Sequence, residues 1–176
     1  MSSSNLPEAW LRGPVPGVSP ALQPVAHALI QAVEDAERLA GSLDTATLWR
    51  MPGNAASIGF HLRHMANALD RLFTYARGEQ LSEAQREALA AEKTPTPDVD
   101  AATLLAGLRR AVERAMDQLR ATRDADLDAA RAVGRAALPS TVRGLLHHAA
   151  EHTARHAGQV STTVKVLAGL DAADGG

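Results

Sequence analysis

Cysteine is absent from the chain. Its absence excludes disulfide scaffolds, thiolate metal sites, iron–sulfur clusters and a cysteine nucleophile. Aromatic residues are scarce at 3 %, whereas strands favour β-branched and aromatic side chains. Excess positive charge is missing too: 18 Lys and Arg face 20 Asp and Glu, for a formal net charge of −2. Nucleic-acid binding through a basic surface needs clustered cations, so no nucleic-acid partner is expected. No apolar run approaches the roughly 18–20 residues of a membrane span, and no membrane partner is expected. The first residues, MSSSNLPEAW, lack the basic and apolar regions of a signal peptide, so a cytoplasmic location is expected.

What is present points to helices. Of 176 residues, 45 % are hydrophobic, and alanine and leucine dominate, a composition that suits packed helices. Residues 1–18, rich in Ser, Pro and Gly, read as an irregular arm with Trp10 and Leu11 packed on the domain. One domain is expected over 19–170, with a short tail at 171–176. Ser19-Pro20 reads as an N-cap with Pro at the first helical position, but Pro24 blurs the start, and the helix runs from about there to Leu39, ending at Gly41. Its apolar line is Val25, Leu29, Ala32 or Val33, and Ala36. Asp44 caps a short turn through Trp49. A second long helix runs from Ser57 to Arg77 with the stripe Ile58, Leu62, Met65, Leu69, Leu72 and Ala76, and Gly78 stops it. Ser82 and Gln85 form a capping-box signature for a short helix to about Lys93. A third long helix starts at Asp100 and carries Leu104, Leu108, Val112, Ala115 and Leu119. Residues 124–139 are ambiguous, either one or two helical turns followed by a loop. Ser140 caps a fourth helix to about Leu167. The expected fold is therefore all-α, a four-helix bundle with short extra helices. The long stretch between Gly78 and Asp100 predicts a crossover, so that helices two and three run parallel.

The chemistry lies in the histidines. His61 and His64 sit on helix two, His147, His148, His152 and His156 crowd helix four, and only His27 stands alone. The core line of helix four reads Val142, Leu145, Ala149, His152, His156, Val160, Thr163, Leu167. Two imidazoles thus occupy positions where a bundle ordinarily places Leu or Ala. At i, i+4 their Cβ atoms lie about 5–6 Å apart, close enough to share one ion. A buried imidazole without a partner leaves a polar nitrogen unsatisfied, and a metal satisfies two at once. Helix two offers the third ligand, with His61 nearer the centre of the apolar stripe and His64 toward its edge. The plainer alternative is that an H-x-x-x-H pair is common on exposed helices. His147 points off the core line toward solvent. His148 lies one turn before His152 as an additional ligand or a hydrogen-bonding neighbour.

The segments Ser57-Ile58-Gly59-Phe60-His61-Leu62-Arg63-His64-Met65-Ala66 and Glu151-His152-Thr153-Ala154-Arg155-His156-Ala157-Gly158-Gln159 resemble the DinB/YfiT-like superfamily of metalloenzymes. The resemblance covers about residues 20–168. It implies a four-helix bundle in which a divalent metal, nickel or zinc first, with iron or manganese also compatible, is held by one histidine of helix two and two of helix four. Matched residue by residue, His64, His152 and His156 correspond to the ligands, with His61 as the alternative or as a neighbour that orients them. Asn67, Glu151 and Gln159 are further candidates for hydrogen bonds to the ligands or to a bound water. Arg63 and Arg143 are candidates to attract an anionic substrate, and Trp49 to line a pocket mouth. Relatives include S-transferases and an isomerase that use low-molecular-weight thiols, so the resemblance implies a metal-dependent transferase or hydrolase acting on a small molecule, with such a thiol as cosubstrate, in a homodimer. The sequence nominates no general acid or base. The competing class is a helical bundle that binds a metal or small ligand without turnover, or an oligomerisation module.

Overall fold

The computed structural model describes residues 6–175. It is predominantly helical, with six α-helices and two short strands among the described residues. The long helices are α1 (Gln23–Ala40), α3 (Ile58–Ala76), α5 (Ala101–Ala121) and α6 (Val142–Asp174); α2 (Thr45–Trp49) and α4 (Glu83–Ala91) are short. Each long helix has an apolar stripe with a period near 3.6 residues, and burying those stripes against one another stabilises the fold. α3 packs on α6 and α5, and α1 packs on the same two. Val25, Leu29, Ala32, Val33 and Ala36 of α1, Leu62, Met65 and Leu69 of α3, Leu104, Leu108 and Leu119 of α5, and Leu145, Ala149, Val160 and Leu167 of α6 join in one core. Leu72 is only partly buried at its margin.

Local capping chemistry sets the starts of the helices. Asp44, Ser57, Asp100 and Thr141 each accept a hydrogen bond from the backbone N–H three residues on. Ser82 and Gln85 form a reciprocal capping box, as their spacing predicts. Two expected caps differ. Ser19 makes no capping hydrogen bond and opens a 3-10 turn, Pro20–Leu22, before α1 begins at Gln23. Thr141 replaces Ser140 as the cap of α6, its side chain accepting from the backbone N–H of Gly144 while both residues end a strand. That strand belongs to a hairpin that the sequence does not announce: β1 (Ala130–Val133) pairs antiparallel with β2 (Leu138–Thr141). Arg131 ties the hairpin to the body by donating from Nε to the carbonyl of Ala76 at 2.7 Å. α6 also runs on through Gly169 to Asp174, since a lone glycine costs a helix only about 1 kcal/mol. Residues 171–174 of the tail expected at 171–176 are therefore helical, and Gly176 lies outside the described residues.

The N-terminal arm is held differently from expectation, and residues 1–5 of it lie outside the described residues. Trp10 and Leu11 are exposed, while Ala9 is buried. The backbone N–H of Ala9 donates to Gln31, and Arg12 makes a two-pronged pair with Glu34 at 2.6 Å. Polar contacts fix the arm, and the large apolar side chains point outward.

The connection from α3 to α5 matters most for the site. Contacts between these helices advance in step: Asp70 with Arg114 at 3.6 Å, then the carbonyl of Phe73 with Gln118 at 3.0 Å, then Arg77 with Gln118 at 2.6 Å. The two helices therefore run in the same direction, and α4 lies in the return between them. α3 meets α6 in the opposite sense, with His61 beside His156 and His64 beside His152. Gly78, at φ +83, adopts the left-handed conformation that ends α3. Gly59 is required for another reason: a Cβ there would sit 2.9 Å from the Trp49 ring. Trp49 is anchored by its Nε1 donating to the carbonyl of Val99 at 2.9 Å and cannot retreat without losing that bond. Gly59→Val should lower stability by about 1–3 kcal/mol in thermal melts. Gly107→Ala in α5, where a Cβ meets nothing within 4 Å, should raise it by up to about 1 kcal/mol. Equal melts for the two variants would refute the Trp49 packing argument.

Candidate metal centre

α3 and α6 each contribute two imidazoles to one cluster because their registers place His61 and His64 opposite His156 and His152. One ligand atom each from His64, His152 and His156 can be chosen so that all lie within 4.8 Å of one another. The Nε2 atoms of His64 and His152 are 2.8 Å apart. His156 turns its Nδ1 toward Nδ1 of His61 at 3.0 Å, which leaves Nε2 as the nitrogen it can offer the others. His61 is buried, and the other three are partly buried. Phe60 stacks on the His64 ring at 5.3 Å with an interplanar angle of 10° and presents its edge to His61.

Electrostatics disfavour the charged form of His61, His152 and His156. Burial, followed by the repulsion of His156 and His64, pushes His61 down to about 4. Burial, followed by His156 and His64, does the same to His152, also to about 4. His156 is lowered as well, first by burial and then by His64 and Arg155, with Gln159 opposing. An imidazole nitrogen offers a lone pair to a metal, and three imidazoles converging make the donor set that zinc, nickel and related divalent ions accept while leaving positions open. The residues fit a metal on donor chemistry alone.

Behind His64 stands a residue that the sequence reading did not single out. Glu92, the C-cap of α4, is 5 % exposed. Its Oε2 lies 2.8 Å from Nδ1 of His64, and its Oε1 accepts from Arg71 at 3.1 Å. Burial pushes this carboxyl up, but the hydrogen bonds from His64 and Arg71 outweigh it and hold the group at about 2. A carboxylate at a helix C-terminus faces the negative end of the dipole. That misplacement was the signal in the sequence. The segment carrying Glu92 is clamped by Arg63, whose Nη2 donates to the carbonyls of Glu92 at 2.5 Å and Thr94 at 2.6 Å. Arg63 also lies over the Trp49 ring at 5.4 Å. These contacts make it the clamp of a loop. Arg143 pairs with Asp128 at 3.0 Å.

Of the remaining expected helpers, Gln159 reaches the cluster through a side-chain hydrogen bond to His156, and the others stand apart from it. Glu151 pairs with Arg155 at 2.6 Å and lies 3.5 Å from His148, all on the exposed face of α6. His148 and His147 are exposed, though the His148 ring is 5.6 Å from that of His152. Among the described residues Asn67 makes no hydrogen bond to the three imidazoles, and Gln159 is exposed beside His156. His27 meets the carbonyl of Gly13 at 3.0 Å and is not among the clustered imidazoles. Trp49 does line a cavity of about 240 Å³, with Phe60, Arg63 and Lys93, next to the His64 side of the cluster.

A mostly helical chain that brings three imidazoles from two antiparallel helices to one point defines a class of protein with a built candidate metal site. The model of the DinB superfamily matches residues 28–160, more than half of the chain, and the chain belongs to that superfamily. Among solved structures, it is similar to a conserved protein from Enterococcus faecalis, at 19 % identity and a TM-score of 0.69, covering 84 % of this chain and 97 % of that one. It is also similar to a DinB-like protein from Bacillus cereus, at 16 % identity and a TM-score of 0.61, covering 80 % of this chain and 89 % of that one. At such identities the likeness shows the fold. No curated protein sequence matches the chain. Among the described residues no helix is long and apolar enough to cross a membrane.

Proposed function

We propose that the protein is a divalent-metal-dependent enzyme whose ion is held by His64, His152 and His156. The observation that carries this reading is the convergence of three imidazole nitrogens within 4.8 Å in surroundings that keep two of those rings, His152 and His156, unprotonated. Nickel or zinc suits three neutral nitrogen ligands best, with iron or manganese also accepted. When bound, such an ion supplies Lewis acidity that eases deprotonation of a thiol or a water. His64, His152 and His156 hold and orient it, His61 steadies His156, and Phe60 excludes water from one side of His64. The reaction class is transfer of a group to a low-molecular-weight thiol, or hydrolysis, on a small molecule. The fold is then a four-helix bundle of α1, α3, α5 and α6 with a long crossover carrying α4, a reading supported by the same-direction pairing of α3 and α5. The domain spans 19–170, in a cytoplasmic homodimer.

One observation favours a second reading, a bundle that binds a metal or ligand without turnover: both carboxylates nearest the cluster are engaged, Glu92 by His64 and Arg71 and Glu151 by Arg155. A panel of thiols offered with an electrophilic acceptor separates the two. Zinc- or nickel-loaded protein should accelerate thiol consumption at least tenfold over the same protein stripped by chelator. A panel in which loaded and stripped protein give equal rates for every thiol and for ester hydrolysis leaves the binding reading standing.

A further inference from the structure

We propose that Glu92 is the positioning residue of this site: by accepting a hydrogen bond from Nδ1–H of His64 it fixes the tautomer whose Nε2 lone pair faces His152 and His156. The inference rests on the metal-binding reading above and deepens it. A carboxylate paired with a guanidinium only accepts hydrogen bonds, so the 2.8 Å contact with Glu92 requires the proton of His64 to sit on Nδ1. A neutral imidazole carries one proton, so Nε2 is then bare and directed at the 2.8 Å contact with His152. Without Glu92 both tautomers are open to His64, and the one bearing Nε2–H cannot bind an ion at that nitrogen.

The surroundings are built around this one contact. None of the residues Glu83–Ala91 of α4 is buried, yet the residue that closes the helix is 5 % exposed. α4 is docked through polar contacts, Gln85 to Asp70 at 2.6 Å and to Thr74 at 2.8 Å. Its far end is held by the Arg63 clamp on the carbonyls of Glu92 and Thr94. Arg71, 11 % exposed at its side chain, fixes the carboxylate from the other side. Phe60 fixes the plane of the His64 ring. The carboxylate sits behind Nδ1 and so acts through the ring, not as a ligand.

Two measurements on the full chain test this. Nitrogen NMR of the imidazole rings of the metal-free wild type, at neutral pH, should show His64 protonated at Nδ1. Glu92→Gln keeps the shape and removes the charge. It should show mixed tautomers at His64 and bind zinc on the order of 10–100-fold more weakly in chelator competition, still at one ion per chain. A wild-type His64 protonated at Nε2, a reading that needs no variant to fold, overturns the proposal. So does a folded Glu92→Gln protein that binds zinc as tightly as the wild type. Either result leaves the metal site itself intact. Wild type that takes up no zinc while His64 carries its proton on Nδ1 overturns the metal reading instead, and the proposed role with it.

Discussion

Replacing His152 with alanine should strip the protein of metal while leaving its fold in place. Wild type purified without an affinity metal column should carry about one divalent ion per chain by elemental analysis. The variant should carry almost none. His152 presents its Nε2 to that of His64 at 2.8 Å, and its ring packs on His156 at 4.6 Å between centroids. Losing one of three ligands removes a large share of the binding energy, on the order of a hundredfold or more in affinity. The fold should tolerate the change for two reasons. The position is only partly buried on α6, and alanine is the best helix former. Below about pH 6.5 the site also works against apo stability, because it holds imidazoles that resist protonation, so in that range the metal-free variant should melt no lower than metal-free wild type. Equal and negligible metal in both proteins would refute the three-histidine site. A variant that loses metal only by unfolding would show itself in circular dichroism.

Acid should destabilise the metal-free protein in a defined window. In an unfolded chain these imidazoles take up protons near 6.5, whereas in the native state His61 and His152 resist until about 4. Between those values the unfolded state binds more protons, so stability is full above about 6.5 and drains away as pH falls toward about 4. Solvent reaches the partly exposed rings, which discounts the total to on the order of 2 kcal/mol. In a chain of this length that corresponds to a melting temperature lower by about 4–8 °C. Loaded protein should keep its ion across this window and shed it only as pH falls toward about 4 and below, where protons compete for the native lone pairs. A melting temperature flat across this interval would contradict the burial of neutral imidazoles.

The polarity of the interior was largely readable before any coordinates. The lines Val25–Ala36, Ile58–Ala76 and Leu104–Leu119 are local repeats, and a period near 3.6 is imposed by the helix itself. The caps at Asp44, Ser57, Ser82 and Asp100 are equally local, a side chain meeting an N–H three residues away. The hairpin over residues 130–141 was not readable. Ala130-Arg131-Ala132-Val133 carries little strand preference of its own, and a strand gains its hydrogen bonds only from a distant partner. Trp10 misled because size suggests burial, while the backbone of Ala9 and the charge of Arg12 hold the arm instead.

By itself the sequence determined that helices form, which faces they bury, and that four imidazoles lie on two of those faces. Each of these depends on neighbours within a turn or two. Which imidazoles meet, and which nitrogen each presents, was decided only when α3 and α6 packed in opposite directions. The return between α3 and α5 then delivered Glu92 to the back of His64. Spacing along a chain fixes a residue's face on its own helix; the angle and register between helices come from the packing of the whole core. For that reason the ring that stacks under Phe60, and the carboxylate that steadies it, belong to the tertiary structure.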